Sequence, residues 1–340
     1  MKLSEVLNSR SKPLWRLVKQ CGVDHAVALL DGAEQDARWL RATRQEPAPI
    51  DGDEPPWSEP AIRRLQSDLA DHGLTLAAIE DTAPMDRARL GLPGRDEDID
   101  AVLTQIRAMG RLEIPVLCYN WMAITSWART DIAIPLRGNA LTTGFSSLTA
   151  AELPALARPG QITEEQLWNG LTYFLQAAVP VAEEAGVRLS LHPDDPPLPA
   201  VRGIPRIISS VDAYRRLLGE YPSRSNAVTL CQGNFALMTD DLPSVIREFG
   251  GRDAVAFVHF RDVRGTADDF IETFHDEGQT DLAACMQAYA EIGFDGPLRP
   301  DHVPTLDGES NDRPGYATLG RLFALGYIRA LQQVAYGRQR

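Results

Sequence analysis

Residues 187–192, VRLSLH, alternate apolar and polar positions: Val187, Leu189 and Leu191 share one face, and Arg188, Ser190 and His192 share the other. That period of two predicts a strand, and Pro193, Pro196 and Pro197 prevent a helix from starting directly after it. Short apolar runs recur at 23–30, 74–80, 114–120, 226–231, 254–260 and 296–301. Between them, apolar residues fall at helical spacing over 58–72, 96–110, 163–185, 211–220, 241–249 and 280–292, and from Pro314 through Leu331. Repeated strand-then-helix units call for a parallel sheet with helices outside it. Seven such strands, with an eighth expected within 270–276, predict an α/β fold of the (β/α)8 TIM-barrel type with long rim loops. It is read as one domain over residues 1–340. No glycine-rich phosphate loop follows the first strand, which speaks against an open nucleotide-binding sheet. Two irregular segments interrupt the rhythm, 34–57 with its prolines and acids, and 129–160. Both follow strands, so both are expected on the catalytic rim as lids or interface arms, which predicts a homo-oligomer.

Composition narrows the partners. With 47 acidic against 34 basic residues and a net charge of −13, nothing basic is dense enough to hold a phosphate backbone or an acidic membrane surface. Nucleic acid and membranes are therefore excluded as expected partners. The four cysteines form no CxxC pair, the first twenty residues lack the apolar core of a signal peptide, and no stretch reaches membrane-spanning length. A cytoplasmic protein with reduced thiols is the expectation.

Candidate chemistry sits at the strand ends. Glu80, Asn120, His192, Cys231, His259 and Asp301 each lie at the end of a predicted strand, and in a parallel barrel all such ends meet at one face. Taken singly, each has an ordinary structural explanation: Cys231 as a small buried hydrophobe, His259 as a core histidine between aromatics, Asp301 as a turn cap. Taken together, two imidazoles, a thiolate and a carboxylate make a divalent-metal ligand set gathered from separate strands. The thiolate leans toward zinc, and the mixed set also suits manganese or iron.

The stretches LGLPGRDEDI (90–99), VLCYNWM (116–122), SWART (126–130), LHPDDPP (191–197) and GIPRI (203–207) then become recognisable. So do LCQGN (230–234), VHFRDVRG (258–265), RPDH (299–302) and PGY (314–316). In this order they resemble the mannonate dehydratase family, metal-dependent barrels related in fold to xylose isomerases. The resemblance implies dehydration of D-mannonate to 2-keto-3-deoxy-D-gluconate, with Mn²⁺ as the usual cofactor and Fe²⁺ or Zn²⁺ as alternatives. It implies metal ligands at His192, Cys231, His259 and Asp301, and catalytic positions at Tyr316 and His302. Ser126 stands where an aspartate is usual, and DHVPTLDGE (301–309) replaces a basic continuation.

Removing the weakly acidic C2 proton of a sugar acid needs stabilisation of the enediolate, a base, and an acid for the departing C3 hydroxyl. Tyr316 and His302 are the candidate pair, with the roles open between them. Arg129, Arg261 and Arg299 are candidates to fork onto the substrate carboxylate, and Asn120 and His275 to contact substrate. Cys118, Cys21, Cys285, His25 and His72 read as structural. Asp194 and Asp195 are expected to orient their loop or to bond a ligand histidine. A metal-dependent sugar isomerase or epimerase on the same scaffold, and a non-catalytic barrel, are the competing readings.

Overall fold

The computed structural model describes residues 1–33, 54–158 and 160–337. The segment expected as a rim insertion at 34–57 thus lies largely outside the described residues. In chain order the strands begin with β1 (Lys2–Leu7), β2 (His25–Ala28), β3 (Thr75–Ile79) and β4 (Val116–Asn120). Then come β5 (Asp131–Pro135), β6 (Leu141–Ser146), β7 (Arg188–His192), β8 (Ala200–Val201) and β9 (Ile204–Pro205). The chain closes with β10 (Asn226–Cys231), β11 (Val255–Phe260), β12 (Val263–Thr266), β13 (Asp269–Glu272) and β14 (Pro297–Pro300).

Eight of these form a closed parallel barrel in the order β1-β14-β11-β10-β7-β4-β3-β2. Seven are the strands read from apolar runs. The eighth is not in 270–276 but at the N-terminus: β1 pairs with both β14 and β2 and closes the cylinder. Residues 269–272 instead form β13, which lies with β12, β6 and β5 in a separate four-stranded sheet on the rim. The segment 129–160 is accordingly not irregular, because it supplies the β5–β6 hairpin of that sheet and a short helix, Ser147–Glu152.

The helices start where the sequence supplies an oxygen to cap them. Ser58, Thr163, Ser210, Asp241 and Asp281 each accept a bond from a backbone N–H in the first turn of the helix that follows. The helix Glu164–Ala185 ends at Gly186, whose φ of 69° closes the turn into β7 without the cost a side chain would carry there. Apolar side chains on the helices and on the outward faces of the strands form the main core. A smaller cluster of Val6, Val27, Ala78, Val116, Cys118 and Phe257 packs apart from it, with Tyr316 against it. Among the described residues no helix is long and apolar enough to cross a membrane.

Candidate active site

Strand register sets the site. Cys231 pairs with His259 across β10 and β11, and His259 with Arg299 across β11 and β14. Asn120 pairs with His192 across β4 and β7. The strands point His192, His259 and Arg299 into a cavity of about 100 Å³, also lined by Glu80, Asp301, His302 and Tyr316, among others. At roughly 10–15 Å³ per water-sized position, this is room for a small polyol.

His192, Cys231 and His259 each offer one ligand atom, and these atoms lie within 4.8 Å of one another. Asp301 Oδ2 is 3.7 Å from Cys231 Sγ and 3.7 Å from His259 Nδ1. His192 Nδ1 is 2.7 Å from the Pro193 carbonyl. A proton on Nδ1 serves that bond and leaves Nε2 with its lone pair. Burial lowers the His192 pKa, which favours the neutral imidazole that ligates metals. His259 is 1% exposed, and its Nε2 faces Glu80 Oε2 at 3.4 Å without a well-aligned hydrogen bond. A second triad, Glu80, Cys118 and His259, also has its ligand atoms within 4.8 Å. It shares His259, and its carboxylate is already held by Arg299 at 2.7 and 2.8 Å. Cys118, read from sequence as packing, therefore lines the cavity.

Behind the cavity lies a buried ionic network. Arg299 bonds Glu80 and, at 3.0 Å, Asp301. Arg261 bonds Asp195 at 2.9 Å, both oxygens of Glu272 at 2.8 and 2.9 Å, and Asp301 at 2.8 Å. Gly233 makes room for it, since a Cβ there would fall 2.4 Å from a guanidinium nitrogen of Arg261. Arg129, carried on the segment leading into β5, bonds Asp195 at 2.6 and 3.0 Å and also pairs with Glu272. Burial alone would raise the carboxyl pKa values, but the arginines override it: Glu80 is held at about 2 by Arg299 and His259, and Glu272 at about 2 by Arg261 and Arg129. Asp301 sits well below the usual range against its own burial, chiefly through His302 and Arg299.

His302 Nδ1 lies 2.8 Å from Glu272 Oε1, so a proton on Nδ1 is donated to the carboxylate and Nε2 keeps its lone pair. Trp127 packs on its ring at 4.9 Å, and Tyr316 meets it edge-on at 5.4 Å. Burial, with a smaller contribution from Asp301, pushes the Tyr316 phenol well above its ordinary value against the pull of Arg299.

Several expected substrate contacts do not reach the cavity. The Asn120 side chain accepts from Met122 N–H at 3.1 Å while its carbonyl receives Arg89, so it locks the end of β4. His275 is turned away, with Nε2 2.7 Å from the Phe260 carbonyl and its ring stacked on Phe260. Arg129 and Arg261 stand outside the lining, and Arg299 lines it with its fork committed to Glu80. Neither loop aspartate bonds the His192 ring: Asp194 holds the Ile208 N–H and faces Arg206, and Asp195 belongs to the arginine network. Sequence reasoning missed Arg313 and Arg321, which line the cavity from the C-terminal segment. No periodicity or motif singles them out.

Fold and cavity together define the class: a (β/α)8 barrel with a cavity at the C-terminal ends of its strands. Within that class the chain belongs to the D-mannonate dehydratase family, whose model, D-mannonate dehydratase (UxuA), matches residues 18–159 and 154–339. It is 34% identical over 301 residues to Mannonate dehydratase 2 of Halalkalibacterium halodurans, covering 81% of this chain and 87% of that one. It is 32% identical over 303 residues to the mannonate dehydratase of Streptococcus agalactiae serotype V, covering 82% and 86%. The crystal structure of mannonate dehydratase from Streptococcus suis serotype 2 superposes with a TM-score of 0.86 at 29% identity, covering 98% and 95%. D-psicose 3-epimerase from Clostridium cellulolyticum, at 13% identity and a TM-score of 0.58, shares the fold alone.

Proposed function

We propose that this chain is a hydro-lyase that converts D-mannonate to 2-keto-3-deoxy-D-gluconate and water. One divalent cation, Mn²⁺ ahead of Fe²⁺ or Zn²⁺, is held by His192, Cys231, His259 and Asp301. The observation that carries the reading is the convergence of the His192, Cys231 and His259 ligand atoms within 4.8 Å, with both histidines lining a cavity shared with His302 and Tyr316, in a chain of this family.

The residues fit a single dication. His259 is buried with only a long contact from Nε2 to Glu80 Oε2 at 3.4 Å, and two imidazoles, a thiolate and a carboxylate make a borderline-soft donor set. Within the ionic network, the carboxylates Glu80, Asp195, Glu272 and Asp301 outnumber their partners Arg129, Arg261 and Arg299 by four to three. Ionising Cys231 adds a second net negative charge, which one divalent ion neutralises. When bound, the cation supplies Lewis-acid stabilisation of the charge that develops on substrate oxygens.

The protein's own groups divide the proton transfers. His302, with Nδ1–H given to Glu272, has Nε2 available to accept the C2 proton. Tyr316, whose phenol holds its proton tightly, donates to the departing C3 hydroxyl, which leaves as water. The resulting enol gives up its C2 hydroxyl proton and takes one at C3 through water to become the 2-keto acid, and the His302 proton returns to the tyrosinate. A homo-oligomer and a cytoplasmic location belong to the same reading.

The test is product analysis of the purified Mn²⁺-loaded protein against a panel of sugar acids that includes D-mannonate. A 2-keto-3-deoxy acid that forms a semicarbazone is expected. A product that keeps the formula of its substrate would replace the dehydratase with an isomerase or epimerase, and no product from any sugar acid would overturn the reading.

A further inference from the structure

The arginines expected to grip the substrate carboxylate are already committed. Arg129 gives its donors to Asp195, Glu272 and the Ala128 carbonyl. Arg261 gives its terminal donors to Glu272, Asp195 and Asn234, and its Nε is ion-paired with Asp301 at 2.8 Å. Arg299 is bound to Glu80, Asp301 and the Pro300 carbonyl. Drawing any of them onto a substrate would strand a buried carboxylate, which is strongly unfavourable.

Arg321 is different. It stands in the first turns of the helix Thr318–Ala335, lines the cavity, and keeps 12% of its side chain exposed. One nitrogen donates to the Val6 carbonyl at 3.3 Å. Its nearest counter-charge, Glu5 Oε1, is 3.9 Å away and already accepts the Val6 N–H. A guanidinium carries five N–H donors, so most of Arg321's capacity has no partner among the described residues. An under-paired, mostly buried cation on a cavity wall calls for an anion from the cavity. The ionic network behind is net negative, and the other arginine on the lining, Arg313, is exposed, so Arg321 is the mostly buried cation a carboxylate meets on the cavity wall.

We propose that Arg321 is the anchor for the substrate carboxylate, a role that rests on the sugar-acid reading above. Its guanidinium lies 5.2 Å from the Tyr316 ring, which in turn meets His302 at 5.4 Å. Gripping C1 at Arg321 therefore sets C2 and C3, the two carbons that change, in front of the tyrosine and histidine. Arg321 selects for an acid over the corresponding alditol and fixes which hydroxyl faces the phenol.

The test is equilibrium titration of wild type, Arg321→Lys and Arg321→Met with D-mannonate and with D-mannitol, which lacks the carboxylate. Wild type is expected to prefer the acid, and Arg321→Met to lose about 10–100-fold in affinity for D-mannonate with little change for D-mannitol, as for a hydrogen bond to a charged group. Arg321→Lys, which keeps the charge without the fork, falls between the two. In turnover, KM rises by more than kcat falls, as for binding shared by ground and transition states. Should Arg321→Met fail to fold around an unpaired Glu5, the double variant Glu5→Gln/Arg321→Met carries the same expectation. D-mannonate affinity within twofold of wild type in a folded Arg321→Met or double variant overturns the anchor, as does a wild type that binds acid and alditol alike or neither. A wild type that binds D-mannonate through Arg321 but forms no keto acid supports the anchor and overturns the dehydration.

Discussion

Two ranks of polar side chains stand at the rim of this barrel, a few ångströms apart, and they differ in what is left over. The front rank, His192, His259, Tyr316 and Arg321, meets the cavity. Within it, His259 Nε2 has only a 3.4 Å contact with Glu80 Oε2, and most of the Arg321 fork lacks a partner among the described residues. The rank behind, Arg129, Arg261, Asp195 and Glu272, binds itself, each charge answered by at least two opposite ones. Residue type does not separate them, since arginines occur in both. Spent bonds make a side chain a support, and unspent bonds make it a candidate to act.

The comparison is tested most severely at the ligand set. Cys231→Ala and His192→Ala should each reduce bound Mn²⁺ to a small fraction of one per chain, with the fold intact by circular dichroism. Turnover should fall on the order of 10³-fold, the equivalent of several kcal/mol of lost charge stabilisation. Full metal occupancy in both variants would remove both residues from the proposed ligand set. Tyr316→Phe comes next: kcat should drop roughly 10²-fold with metal content unchanged, as for a general acid. Turnover near wild type would leave the phenol without a chemical role.

Glu272→Gln probes the rear. It keeps the shape but removes the charge that receives His302 Nδ1–H and pairs with Arg129 and Arg261. If the rear rank positions the front, kcat should fall about 10–100-fold with metal content retained, the cost typical of losing a partner that orients a functional histidine. The melting temperature should fall as well, because two buried arginines lose a counter-charge. A lowered melting temperature with unchanged kcat would reduce the rank to scaffolding.

How much of this was legible depended on the range of the interactions involved. His192, Cys231, His259 and Asp301 could be singled out because alternation along a strand assigns each to a face, and parallel topology brings strand ends together. β1 was missed because KLSEVL places Ser4 and Glu5 inside the run. Ser4 is buried there by pairing with the Leu298 carbonyl at 3.0 Å, from the far end of the chain, besides the nearby Lys2 carbonyl. The rim hairpin left a local trace, Gly138 turning at a φ of 62° between two strand-like runs, but its pairing with β13 is long-range. Whether an arginine is spent was not legible at all. Arg129 meets Glu272 across 143 positions and Arg299 meets Glu80 across 219, so only the folded chain separates them from Arg321.

His275 gives the mildest test, because it resembles the front histidines in sequence and belongs to the rear. Burial lowers its pKa to about 4, with the Phe260 carbonyl only partly opposing that shift. The folded value lies below the unfolded value of about 6.5, so the unfolded chain binds the proton first. Stability from this group is therefore intact above pH 6.5 and is lost as pH falls from there toward 4. At pH 5.5 the difference amounts to about 1 kcal/mol relative to neutral pH, since one pKa unit is worth about 1.4 kcal/mol. His275→Gln has nothing to protonate, so between pH 7 and 5.5 it should lose about that much less stability than wild type in urea unfolding. Its kcat per folded molecule should stay within a few-fold of wild type. A pH dependence identical to wild type would show that His275 is solvated, and a collapse of kcat would move it to the front rank, where the sequence alone had placed it.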